Sequence, residues 1–171
     1  MLSGTVTSIF GDDINTDDII PAVYLLRSDD PEYFATYAFD KFDPEFRTRC
    51  LGKPANVVVA GKNFACGSSR EQAVYALQYN RVVCVIARSF PDIFYRNALA
   101  NGLTLVILKE EGDFQLGDEV EVDLDAGAIR NRTRNTTHPF QMKTDDRRTF
   151  QAGGMTARVR AHLEELLDQK R

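Results

Sequence analysis

Between Asn56 and Lys109 the chain alternates three short apolar runs with two segments of helical spacing, and few folds accommodate that order. NVVVA (56–60), RVVCVIA (81–87) and LTLVILK (103–109) read as buried strands. REQAVYALQY (70–79) and SFPDIFYRNALANG (89–102) read as helices. In the second, Phe90, Ile93, Phe94 and Asn97/Ala98 keep helical spacing, Ser89 can cap the start and Gly102 can end it. Parallel strands need a crossover, and a helix supplies it. The pattern therefore predicts an α/β fold with a parallel core sheet.

The flanks add simpler elements. LSGTVTSIF (2–10) alternates like a strand and enters the polar loop GDDINTDDIIPA (11–22). Aromatics at 33, 34, 37, 39, 42 and 46 predict short helices punctuated by Pro31 and Pro44. DEVEVDL (118–124) and AIRNRT (128–133) predict an antiparallel hairpin about Asp125–Gly127. GGMTARVRAHLEELLDQKR (153–171) predicts an amphipathic helix with Val159, Leu163, Leu166 and Leu167 on one face. With no repeats or linkers, a single domain over 1–171 is expected.

Composition removes several function classes. The longest apolar runs, such as TLVIL (104–108), are too short to cross a bilayer. The N-terminus lacks a basic region followed by an apolar stretch, so no secretory signal is expected and the Asn-x-Thr matches at Asn131 and Asn135 carry no weight. Cys50, Cys66 and Cys84 form no CxxC, which suits reduced thiols in the cytoplasm. With His138 and His162 they show no ligand spacing, so no metal is expected in this chain. A net charge of −4 speaks against general nucleic-acid binding. Residues 129–148 gather five arginines and a lysine, read as a solvated surface hairpin or a surface for an acidic partner.

GKNFACGSSREQA (61–73) is the candidate site. It follows NVVVA directly and opens a helix, whose first N–H groups lack internal partners and whose dipole favours negative charge. Arg70 adds a planar fork matched to a carboxylate or phosphate. The turn is neither a P-loop nor a nucleophile elbow. Three readings stay open on these residues: a serine cap, an anion cradle, or part of an active site.

GDDINTDDIIPA and GKNFACGSSREQA, with SFPDIFYRNALANGL (89–103) and the AGGM run at 152–155, resemble the small subunits of isopropylmalate isomerase and homoaconitase in the aconitase superfamily. The resemblance covers nearly the whole chain, in order. It implies a swivelling β/β/α domain closing over a separate large subunit that carries a [4Fe–4S] cluster. It also implies a dehydration and rehydration that moves a hydroxyl to the neighbouring carbon. By the same resemblance Ser68 matches the catalytic base, Ser69 a binding hydroxyl and Arg70 the grip on a substrate carboxylate. Asp12, Asp13, Asp17 and Asp18 are read as orienters of the loop and of nearby basic groups. Gln72 stands where aconitases usually have histidine, which favours the isopropylmalate/homoaconitate branch.

In this family substrate choice is attributed to the loop after IIPA, so Leu25, Leu26 and Arg27 are candidate substrate contacts. Leucines suit an isopropyl group, and an arginine suits the extra carboxylate of homoaconitate. The expected function is a 3-isopropylmalate dehydratase small subunit, with homoaconitase and a non-catalytic anion-binding module as alternatives.

Overall fold

The computed structural model describes residues 1–168. A mixed seven-stranded sheet organises it, in the order β4-β3-β2-β1-β5-β6-β7. β1 (Leu2–Ile9), β2 (Asn56–Ala60), β3 (Val82–Ala87) and β4 (Thr104–Ile107) are parallel. β5 (Glu119–Asp123) pairs antiparallel with β1, and β6 (Ala128–Asn131) and β7 (Thr136–Pro139) extend the sheet. The predicted parallel core and hairpin are both present, joined in one sheet. Sequence pattern did not reveal β7, whose TTHP run lacks an apolar alternation, or the pairing of Leu2–Thr5 with Glu119–Val122.

Helices fill the crossovers. α1 (Thr16–Ile19), a 3-10 turn (Ala22–Tyr24), α2 (Pro31–Thr36) and α3 (Phe46–Leu51) lie between β1 and β2. α4 (Glu71–Gln78) and α5 (Asp92–Asn101) follow β2 and β3, and α6 (Thr144–Gln151) and α7 (Met155–Asp168) follow the hairpin. The parallel strands follow one another across the sheet, so no topological switch lies among them. The polarity first reverses where β5 joins β1 and alternates from there through β6 and β7.

The run of aromatics becomes core. Phe34, Phe39 and Phe46 are fully buried, and Phe39 packs 4.7 Å from Phe10 and 4.6 Å from Phe46 between ring centres. Asn80 locks the helical layer by donating to the carbonyls of Ala35 and Ala76 while accepting from Arg47. Burial without those bonds would leave its amide unsatisfied at a cost of about 1–3 kcal/mol.

Two local expectations change. Ser89 does not cap α5; Pro91 occupies the N-cap, and its fixed φ starts the helix at Asp92. The Ser89 hydroxyl instead accepts the Asn63 N–H at 2.8 Å. The arginines of 129–148 divide between the exposed β6–β7 hairpin and α6. The hairpin ends at Pro139, and Arg132, Arg134 and Arg147 pair with Glu121, Asp118 and Asp125 of this same chain. Asp118 is buried, which opposes its charge, yet hydrogen bonds from Asn131, the Gln115 N–H and Arg134 hold its pKa below the ordinary value.

The C-terminal helix forms as predicted over Met155–Asp168; the last three residues of the predicted span lie outside the described residues. Its apolar face is uncovered. Val159, Leu163, Leu166 and Leu167 are 42–65% exposed.

α5 is joined to α7 by backbone contact among glycines. Gly102 ends α5 at φ +79, and a Cβ there would overlap the Gly153 carbonyl; a Cβ on Gly154 would stand 2.5 Å from the Ala100 oxygen. Gly117 shares a positive φ of +90 but has nothing within 4 Å of an added Cβ. Gly102→Ala is therefore expected to cost the left-handed penalty of about 1–2 kcal/mol plus the clash, and Gly117→Ala only the penalty. Denaturant unfolding of the two variants checks this, with the larger loss expected at Gly102.

Candidate active site

The two polar signatures leave neighbouring parallel strands and are laced together beyond their carboxyl ends. Asp13 N–H donates to Lys62 O at 2.8 Å, Cys66 N–H to Ile14 O at 3.0 Å and Thr16 N–H to Cys66 O at 2.8 Å. Side chains repeat the pattern. Asp12 accepts the Lys62 N–H at 2.6 Å, and Asp13 accepts the Asn63 amide at 2.8 Å. Asp13, Asn63 and Ala65 all hold left-handed φ angles between 58° and 65°. For Ala65 that conformation costs on the order of 1–3 kcal/mol and persists because the lacing over-determines it. Gly67 also has positive φ, and a Cβ there would lie 2.7 Å from the Asn15 amide.

α1 supplies the next tie. Asn15 and Asp18 close it with a capping box, so Asp18 serves its own helix and leaves Asp17 to reach across. Asp17 accepts from Arg70 Nη1 at 2.6 Å and from the Ala22 N–H at 3.1 Å. The same nitrogen of Arg70 donates to Ile20 O at 3.0 Å. The hydrogen bond from Arg70 is the main reason the Asp17 carboxyl sits below its usual value of 3.8. A depressed folded pKa means this contribution is present above pH 3.8 and lost as pH falls through the lower folded value. At neutral pH the tether is complete. The remaining N–H donors of Arg70 take no partner among the described residues, and the side chain is only 11% exposed.

The cap reading of the serines does not hold. Arg70 occupies the N-cap of α4, with no side chain capping the helix. Ser68 and Ser69 are exposed beside that open N-terminus. The Ser68 hydroxyl has no hydrogen bond among the described residues, whereas Ser69 Oγ accepts from Asn97 Nδ2 at 3.2 Å. Asn101, one turn further along α5, donates to Asn97 O and to Glu71 Oε1, both at 2.9 Å. Asn97 and Asn101 escaped sequence reasoning because Asn97 was counted on the apolar stripe. The usable signal was a pair of weak helix formers four residues apart.

Ser68, Ser69 and Arg70 thus stand together, with Asp17 holding the arginine. Leu25, Leu26 and Arg27 follow the turn whose first N–H bonds to Asp17. Leu25 packs against the core, Leu26 is 99% exposed, and the Arg27 guanidinium sits 5.5 Å above the Tyr24 ring. Among the described residues no hydrogen bond joins these three to the serine turn. A cleft of about 230 Å³ opens beside the site, lined by Gly11, Asp12, Gly61, Arg88 and Phe114, among others. Ser68 and Ser69 are not among the residues that line it.

Among the described residues no group of three or more His, Cys, Asp or Glu is placed to hold a metal. Cys50 and Cys84 are buried, and burial pushes the Cys50 thiol up to about 11, which disfavours the thiolate a cluster needs. The cysteines of this chain do not fit an iron–sulfur ligand set. No helix among the described residues is long and apolar enough to cross a membrane.

The family model of the aconitase C-terminal domain matches residues 3–111. A 3-isopropylmalate dehydratase small subunit of Lachnoclostridium phytofermentans is 44% identical over 82% of this chain and 84% of its own length. One from Methanopyrus kandleri is 48% identical over 72% of this chain and 71% of its own. The crystal structure of a 3-isopropylmalate dehydratase from Methanocaldococcus jannaschii superposes with a TM-score of 0.84 at 40% identity, covering 98% of this chain and 97% of that one. The matched segment spans both laced loops, the serine turn and the whole parallel core, and the chain belongs to the aconitase C-terminal domain family, among the 3-isopropylmalate dehydratase small subunits.

Proposed function

We propose that the chain is the small subunit of a 3-isopropylmalate dehydratase, a hydro-lyase that interconverts 2- and 3-isopropylmalate with a large partner subunit. The relatives' names carry the activity. The observation that supports the site is the Asp17–Arg70 pair, which fixes a largely covered guanidinium beside two exposed hydroxyls at an open helix N-terminus. That shelf suits a substrate carboxylate, with the free donors of Arg70 giving a two-point grip.

In this reading Ser68, as alkoxide, takes the proton from the carbon next to that carboxylate. The C–H electron pair becomes the new C=C bond as the hydroxyl leaves the neighbouring carbon with its bonding pair, protonated to water by an acid on the partner's side of the site. Rehydration in the opposite sense returns the proton from the Ser68 hydroxyl. An alkoxide needs concentrated positive potential, supplied here by the α4 N–H groups and Arg70 and strengthened when a partner excludes water. Ser69, accepting from Asn97, keeps its own hydrogen to donate to the substrate. The [4Fe–4S] cluster that the resemblance implies would be held by the partner subunit. An exposed shelf supports a swivelling single domain that becomes an active site only on closure, and three free cysteines support a reducing cytoplasm.

Ser68→Ala is expected to lower kcat of the reconstituted pair by at least about 100-fold with assembly intact, as loss of a proton-transfer group does. Activity within a few-fold of the parent would return Ser68 to a bystander. Asp17→Asn keeps the shape but not the charge of the tether, so KM is expected to rise more than kcat falls; an unchanged KM counts against Arg70 as the grip.

Arg27 decides between substrates. Its guanidinium is folded over Tyr24, whose hydroxyl donates to Asp40, an arrangement that supports isopropylmalate over homoaconitate. Arg27→Ala is expected to change kcat/KM for isopropylmalate by less than about threefold, within the range of a surface substitution. A parent that prefers homoaconitate and loses 10-fold or more in the variant, the value of about one charge-assisted bond, would reverse the assignment.

A further inference from the structure

Both ends of α5 are fastened to the elements that carry the serine turn. At its start, the Ser89 hydroxyl accepts the Asn63 N–H at 2.8 Å and the Ser89 carbonyl accepts the Phe64 N–H at 3.1 Å. Phe64 also packs edge-to-face with Phe90 and Phe94, at 6.2 and 6.0 Å between ring centres. At its end, Asn101 Nδ2 donates to Glu71 Oε1 at 2.9 Å, and the Asn101 carbonyl accepts from Gln78 Nε2 at 2.8 Å. Glu71 is the first residue of α4 and follows Arg70 directly. The helix is thus pinned to the loop before the serines and to the helix after them.

One side chain uses that placement. Phe94, Asn97, Ala98 and Asn101 share one face of α5 at three- and four-residue spacing. Phe94 and Ala98 are buried, and Asn97 is half-buried beside them. Asn97 Nδ2 donates to Ser69 Oγ at 3.2 Å, while Asn101 Nδ2 closes the same turn on Asn97 O at 2.9 Å. Among the described residues the Ser69 hydroxyl makes no other hydrogen bond. A serine side chain otherwise rotates among three staggered wells, so this bond selects one. It also sets polarity, because an oxygen that accepts from an amide keeps its own hydrogen for another acceptor. Arg70 is held by different elements, through Asp17 and the Ile20 carbonyl.

We propose that Asn97 is a positioning residue for the dehydration, acting through Ser69, and that α5 is the splint that keeps it in place. The role rests on the dehydratase reading of the site. Two brackets then hold the two substrate-binding side chains separately, Asp17 the guanidinium and Asn97 the hydroxyl. Loss of the Asn97 bracket should show in KM and not in kcat, because Ser68 is untouched.

Steady-state kinetics of the chain reconstituted with its large subunit test this, in a double-substitution cycle of Asn97 and Ser69. Asn97→Ala is expected to raise KM for isopropylmalate about three- to tenfold, the contribution of a neutral hydrogen bond, with kcat within about twofold of the parent. In a Ser69→Ala background the same substitution should add less than about twofold, because the hydroxyl it positions is gone. Asn97→Leu fills similar space without a donor and should match Asn97→Ala, so the cycle survives poor folding of either variant. A purely structural role would lower thermal stability and act equally in both backgrounds. Unchanged KM in Asn97→Ala, or an equal effect with and without the Ser69 hydroxyl, overturns the proposal and leaves the dehydratase reading standing. A parent pair inactive on isopropylmalate overturns that reading, and the proposal with it.

Discussion

The proposed site hangs from the lacing of two loops that leave β1 and β2. The strands deliver the loops side by side, and the backbone bonds between Asp13 and Lys62, Ile14 and Cys66, and Thr16 and Cys66 continue the parallel ladder past the ends of the strands. The continuation works only because one loop accepts left-handed residues at 63, 65 and 67 and the other accepts one at 13. From that frame Asp17 reaches Arg70. The guanidinium is therefore positioned by the fold of residues fifty places away, and not by its own helix, which merely begins beside it.

The division of acidic labour in GDDINTDD follows from the same frame. Asp12 and Asp13 serve the opposite loop, Asp18 serves the cap of α1, and Asp17 serves the arginine. Four carboxylates in one short stretch would repel one another if each faced only solvent. Asp12, Asp13 and Asp17 meet donors between Lys62 and Arg70 while Asp18 meets the Asn15 N–H of its own helix, so the charge is distributed as hydrogen bonds across the junction.

The parallel core was legible because β-branched runs and helical spacing alternate without ambiguity, and Gly102 marked a true helix end. What stayed hidden has physical causes. β7 is polar and lies at the sheet edge, where burial imposes no pattern. Ser89 looked like a cap, but Pro91 claimed the helix start and left the hydroxyl to Asn63. The trio Ser68, Ser69 and Arg70 was visible as a cluster, while the tie from Asp17 and the bracing by Asn97 depend on tertiary approach that no local spacing encodes.

The position of β1 has a further consequence for how the chain is made. It leaves the ribosome before the other six strands of this sheet, yet it ends at the centre of the sheet, between β2 and β5. Its pairing with β2 becomes possible once residues 56–59 emerge, and α4 and α5 then complete a succession of nearest-neighbour steps. The opposite edge of β1 must wait for Glu119–Val122. Until then the nascent chain presents an unpaired strand edge at Leu2–Thr5, the kind of surface that recruits strands from other chains. Gly4 and Thr5, with little apolar side-chain surface to offer there, reduce the attraction of that edge during the interval before its own partner arrives.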